Sequence, residues 1–118
     1  MSKYGNRKVK RDRMVFDSVR EANRWNDLKL LEKAGEISDL KRQVKYVLIP
    51  KQYSKTELTK EGKPKVAERE LSYIADFVYY DLATDEVVVE DAKGFRTDDY
   101  KIKRKLMLYI HGIQIREV

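Results

Sequence analysis

Residues 71–94 read LSYIADFVYYDLATDEVVVEDAKG, and this stretch decides the fold. Leu71 to Leu82 and Val87 to Lys93 are rich in the β-branched and aromatic residues that suit a pleated strand. Ala83-Thr84-Asp85-Glu86 between them supplies a reversal, so the stretch predicts an antiparallel hairpin that Gly94 breaks off. With that loop, Leu82 faces Val87 and the numbers of facing residues add to 169. Side chains alternate faces along a strand. One face then carries Ile74, Asp76, Val78, Tyr80 and Leu82 against Val87, Val89, Asp91 and Lys93. It is an apolar face interrupted at one end by two acids and a lysine. A register adding to 167 keeps Asp76, Asp91 and Lys93 together, whereas one adding to 168 sends Asp76 to the other face. Glu90 points away from this cluster and reads as solvent-facing charge.

Working outward, Met14-Val15-Phe16 is a short apolar strand and Asp17-Ser18 opens a helix. Ser18, with Glu21 in the third following position, reads as a capping box. The helix is predicted to about Ala34, where Gly35 supplies a left-handed stop. Glu21, Trp25, Leu28 and Leu31 recur at helical spacing, so Glu21 continues the apolar stripe and can reach over the sheet. Ile37 to Ile49 alternates as a strand through Val44, Tyr46 and Leu48, and Pro50 ends it. Residues 51–66 read as a long, polar, Lys-rich loop. Thr97 caps a second helix through about Tyr109, and Ile113 to Glu117 reads as a last strand. The expected order is β-α-β-β-β-α-β. That is an α/β protein of the α+β mixed-sheet kind, with a central sheet flanked by helices.

The chain has 118 residues, enough for one domain and one modest core. It has 26 Lys plus Arg against 20 Asp plus Glu, a net charge of +6. Lys3, Arg7, Lys8, Lys10, Arg11 and Arg13 stand against Asp12 alone, so residues 1–13 hold +5 of that excess. The organisation expected is a basic arm over residues 1–13 and a single domain over 14–118. Such an arm suits a polyanion, nucleic acid above all, though a solubilising tail has the same composition. The absence of cysteine excludes disulfides, thiolate metal sites and cysteine nucleophiles. No apolar run approaches a membrane span and no secretory signal is recognisable, so a cytoplasmic protein is expected. The absence of a Gly-rich phosphate loop predicts no nucleotide cofactor.

Two carboxylates in diagonal reach repel each other unless a cation joins them. Lys93 is one such cation, and a hard divalent ion such as Mg²⁺ is another. A structural ion pair at a sheet edge is the alternative reading of Asp76, Asp91 and Lys93, as a plain capping partner is for Glu21.

Phe16-Asp17-Ser18-x-x-Glu21 on the first helix, Tyr73-x-x-Asp76-Phe77 on one strand and Asp91-Ala92-Lys93-Gly94 on the next together resemble the PD-(D/E)XK nuclease superfamily. The likeness is to a small phage-type branch, similar to Holliday-junction resolvases and to the endonuclease subunits of transposases. It runs from about Lys3 to Val118, with Ala75 standing where the motif often has proline. The resemblance implies a restriction-endonuclease-like core and a Mg²⁺-dependent endodeoxyribonuclease in which Mn²⁺ can substitute. Its catalytic set would be Glu21, Asp76, Asp91 and Lys93. The metal ligands would be Asp76, Asp91, Glu21 and the backbone carbonyl of Ala92, with Ser18 and Gln43 in support. A non-catalytic or partner-dependent DNA-binding protein on the same fold is the alternative. A phage-encoded chain of this kind would work in the bacterial host cytoplasm.

The expected DNA-contacting residues are Lys3, Arg7, Lys8, Lys10, Arg11 and Arg13 of the arm and Lys101, Arg104 and Lys105 of the second helix. All supply phosphate contacts rather than base readout, which suits branched or duplex DNA with low sequence specificity. A branched substrate needs paired cuts, so a homodimer is expected. His111, the single histidine, reads as structural.

Overall fold

The computed structural model describes residues 8–11 and 13–118 of the chain. The elements run β1 (Val9–Arg11), β2 (Met14–Phe16), α1 (Val19–Lys33), β3 (Ile37–Ile49), β4 (Gln52–Leu58), β5 (Pro64–Glu68), β6 (Leu71–Asp81), β7 (Glu86–Asp91), α2 (Asp98–His111) and β8 (Arg116–Glu117). The fold is a mixed α+β arrangement with two helices among the described residues. Its central sheet has four strands in the order β3-β6-β7-β8, antiparallel except where β8 joins β7 in parallel. That parallel step is bridged by α2, the crossover such a connection needs. Among the described residues, no helix is long and apolar enough to cross a membrane.

Local chemistry explains the ends of α1. Ser18 is extended at the N-cap and its Oγ accepts the Glu21 N–H at 3.1 Å. The Glu21 carboxylate reaches back to the Asp17 N–H at 3.4 Å, one residue earlier than the usual capping box closes. At the other end Gly35 has φ +80°, a left-handed conformation that lets the Glu36 N–H bond back to the Leu31 carbonyl. The buried face of α1 is Glu21, Ala22, Trp25 and Leu28. Trp25 lies between Phe16 and Phe77, with both ring-centroid distances 6.1 Å.

The β6–β7 hairpin is shifted from the first expectation and takes the alternative register. Tyr80 faces Val87 and Phe77 faces Glu90, so facing numbers add to 167. The Asp81 carboxylate accepts the Ala83 N–H, the Asp81 carbonyl accepts the Asp85 N–H, and Asp85 takes φ +60°. Asp tolerates that left-handed conformation, so the turn spans Leu82 to Asp85 rather than Ala83 to Glu86.

The sheet is covered on both faces. Val88 packs with Phe77, Tyr79 and α1, whereas the next residue, Val89, packs with Tyr73, Ala75 and Met107 of α2. Residues two apart on a regular strand share a face. Ala75 and Phe77 nevertheless belong to opposite clusters, so β6 changes face at Asp76. Across from that point, the β3–β6 ladder pairs Arg42 with Phe77 and Val44 with Ala75 but skips Gln43 and Asp76, and Gln43 has φ +56°. The register is the same on both sides of this point, so the distortion is the left-handed Gln43 rather than an inserted residue, and it lies beside the place where Asp76 turns inward.

Residues 51–66 are not a loop. Gln52–Leu58 and Pro64–Glu68 pair as a separate two-stranded ribbon, reversed through Thr59 to Lys63 with Gly62 at φ +81°. Of its strand residues only Ser54 is part-buried, so there is no inward periodicity to read. The last strand is also shorter than expected, Arg116–Glu117, and α2 runs on to His111, whose ring bonds the Val47 carbonyl at 2.7 Å. Within residues 1–13, Val9–Arg11 pairs with β2, and Arg11 donates to Asn23 of α1 at 2.9 Å.

Candidate active site

The β6–β7 ladder is paired from Phe77 and Glu90 to the turn. Continued one step, its register would bring Asp76 opposite Asp91. There the two strands part, and the Asp76 carboxylate accepts the Ala92 N–H at 2.7 Å in place of a ladder carbonyl. Asp76 is 6 % exposed and Asp91 1 % exposed. The outer side of the fork is held by β8, where the Val118 N–H bonds the Asp91 carbonyl.

Burial first, then repulsion from Asp91, raises the Asp76 carboxyl from 3.8 to about 7, against the Ala92 N–H, which favours its charge. Asp91 is raised as well, again by burial, with Tyr73, Lys93 and Arg96 opposing. Tyr73 donates to Asp91 Oδ2 at 2.6 Å, and burial and that acid hold the phenol far above its usual range. The other oxygen, Asp91 Oδ1, is buried with no hydrogen-bond partner among the described residues. Lys93 Nζ stands 3.9 Å from it, an ion pair too long to be a hydrogen bond.

Glu21, 2 % exposed, comes to the same region from α1 and adds to the negative field on Asp76. Its Oε1 accepts from Gln43 Nε2 at 3.0 Å and from Arg42 Nη2 at 3.4 Å. Burial raises its pKa despite those donors. Ser18 is occupied in capping α1. The structure thus gathers Asp76, Asp91, Ala92 and Lys93 at the fork, with Glu21 and Gln43 beside them. Among the described residues no group of three or more His, Cys, Asp or Glu forms a ready-made metal cage. What fits a hard cation is the oxygen-only donor set and the unsatisfied Asp91 Oδ1.

Glu90 corrects the expectation made for it. It is fully buried, held by Arg24 through Nε at 2.8 Å and Nη2 at 2.6 Å, and accepts from the Tyr79 hydroxyl. The face opposite the acids is roofed by α1 rather than by water, and that helix brings Arg24. The Tyr79 phenol is pushed up to about 12, by burial and then by the bond to Glu90. On the neighbouring strand, Glu117 accepts from Tyr100, Arg104 and Arg96. Burial raises its pKa, but these donors outweigh it and hold the carboxyl below its ordinary value.

Tyr73, Arg24 and Arg42 are the neighbours that sequence reading missed. Tyr73 belongs to the Tyr73-x-x-Asp76-Phe77 motif, and Arg24 follows Glu21 by three residues, a spacing that shares one helix face. Of the expected DNA contacts, Lys10, Lys101 and Lys105 are exposed, and so is Arg13, at φ +65°. Lys8 pairs with Asp17, Arg11 holds Asn23 and Arg104 is engaged by Glu117. Lys3 and Arg7 lie outside the described residues.

The family model described as "Protein of unknown function (DUF1064)" matches residues 1–116. No curated protein and no solved structure is matched by the chain.

Proposed function

The chain belongs to this family of unknown function, and from its site we propose that it is a metal-dependent endodeoxyribonuclease with a restriction-endonuclease-like core. The observation that carries the reading is the fork. Two buried acids converge there, and the unbonded Asp91 Oδ1 faces Lys93. Asp76 and Asp91 would hold Mg²⁺, or Mn²⁺ in its place, with Glu21 and the Ala92 carbonyl as further ligands. The metal would neutralise charge developing on the phosphate oxygens and acidify a bound water. Tyr73 fixes Asp91 so that Oδ1 is the oxygen left for the cation. Gln43 and Arg42 hold Glu21 toward the sheet. Lys93, 42 % exposed along its side chain, can meet both the attacking water and the phosphate. The exposed cations of β1 and α2 suit phosphate contacts without base readout, hence a branched substrate, low sequence specificity and a twofold dimer.

The test is incubation of plasmid, linear duplex and four-way-junction DNA with the purified chain, in Mg²⁺ and in EDTA, alongside light scattering. Metal-dependent cutting by a dimer, lost in Asp91→Asn, is expected. A second reading, a DNA-binding protein whose site is completed by a partner, is favoured by one observation. Glu21 is already taken up by Gln43, Arg42 and the Asp17 N–H. Junction binding with no cutting in either Mg²⁺ or Mn²⁺ would establish that reading instead.

A further inference from the structure

Where β6 and β7 part, a cleft of about 330 Å³ opens between the first residues of β6 and the start of α2. Tyr73, Lys93, Thr97, Asp99, Tyr100 and Lys103 line it. We infer that this cleft seats one nucleotide of the cleaved strand, with a backbone phosphate between Lys93 and Lys103, and that Lys103 is the cation α2 contributes to this subsite. The inference rests on the nuclease reading and extends it to a subsite and a residue.

The cleft lies beside the acids, because two of its walls touch Asp91. Tyr73 bonds Asp91 Oδ2, and Lys93 stands by Asp91 Oδ1. Most of its polar lining is already committed inward. Tyr100 donates to Glu117, and the Thr97 hydroxyl caps α2 by accepting the Tyr100 N–H. Lys103 has no ion-pair partner among the described residues, and Asp99, one turn before it on the helix, makes none with it. Lys93 is already ion-paired with Asp91, so Lys103 is the lining cation left to meet an anion. The other basic residues of α2 are elsewhere. Arg104 is spent on Glu117, and Lys101 and Lys105 do not line the cleft. Ile74, also in the lining, is 51 % exposed and offers an apolar surface for a sugar. The volume is at the small end for a ligand site, room for a single nucleotide and not for a duplex.

The experiment uses the full chain carrying Asp76→Asn, which blocks cutting, and measures four-way-junction binding by fluorescence anisotropy across a salt series. Lys103→Ala is expected to flatten the plot of log K against log[salt] by about 0.9 units, one phosphate contact. Lys103→Arg should keep the slope, and Lys33→Ala, at the far end of α1, should leave it unchanged. With Asp76 restored, Lys103→Ala should raise KM several-fold with kcat within about twofold, since the contact is made equally before and during the reaction. A slope for Lys103→Ala equal to that of the parent overturns the inference, whether or not the parent cuts DNA. Absence of cutting by the unmutated chain, with the slope change present, overturns the nuclease reading and leaves the phosphate subsite standing.

Discussion

Asp76 holds its proton to about pH 7 because it is buried beside a second acid, whereas its ordinary value is 3.8. Between those values the folded chain retains a proton that the unfolded chain has released. Stability from this group is therefore full below about pH 4, falls as pH rises, and levels off above about pH 7. Asn keeps an acceptor for the Ala92 N–H but cannot titrate. Thermal melts from about pH 4 to pH 8 should show the wild type losing ground to Asp76→Asn by up to about 1.4 kcal/mol per pH unit. Parallel profiles for the two proteins would remove the proton from Asp76. Metal binding needs the ionised form, so added Mg²⁺ should raise the melting temperature more at about pH 8 than at about pH 5. Lys93→Ala should slow cleavage by at least about 100-fold, well beyond the several-fold loss of junction binding that one phosphate contact costs, as expected of a group that also acts on the reacting atoms. Single-turnover rates measure this, and an unchanged rate would make Lys93 only a neighbour of Asp91. That Asp76, Asp91 and Lys93 share one end of the hairpin was legible because the 167 and 169 registers both unite them. Tyr73 and Gln43 were harder to place. Their roles depend on β6 changing face at Asp76, which no alternation pattern announces.

At the scale of elements, the bidentate pair between Arg24 and Glu90 ties α1 to β7. Arg24 follows Glu21 on the helix and Glu90 precedes Asp91 on the strand, so one buried clamp sets the distance between two of the expected metal ligands. Glu90 is fully buried and the Arg24 side chain is 25 % exposed. Arg24→Met strands a buried carboxylate and should cost about 3–5 kcal/mol in urea unfolding. Adding Glu90→Gln, which still accepts from Tyr79, should recover a large part of that loss. Additive losses would mean that the two side chains stabilise the fold independently. Glu90 was misread because alternation separates inside from outside only when one face of a sheet is wet. Here helices cover both faces, so both parities are buried. The ribbon of β4 and β5 was missed for the converse reason: neither face is buried, and a strand that buries nothing carries no hydrophobic period. The caps of α1, by contrast, are chemistry of adjacent residues, and Ser18 and Gly35 mark its ends directly.

At the scale of the molecule, the accessible surface is 8733 Å², against about 6,700 Å² for a compact chain of its mass. The ribbon is one source of the excess. Among the described residues its strands pair with each other and lie apart from the central sheet and the helices. Tyr53, Leu58 and Val66 remain about half exposed on it. A lone two-stranded hairpin is marginal in water, so it contributes little to holding the domain together. β3 and β6 are already antiparallel neighbours, with Ile49 facing Leu71 where the ribbon leaves the sheet. Replacing residues 51–69 by a short Asn-Gly turn would therefore join two strands that are paired without the ribbon. Closing that shorter loop lowers the entropic cost of folding by about 2 kcal/mol. The shortened chain should keep its helical signal and melt no lower than the parent, because both core clusters lie outside the ribbon. Circular dichroism melts decide this. A chain that loses cooperative unfolding would show that the ribbon is part of the domain's core. A chain that folds but scatters as a monomer, where the parent is a dimer, would place the dimer contact on Tyr53, Leu58 and Val66. Retained dimerisation would place that contact on the body of the domain.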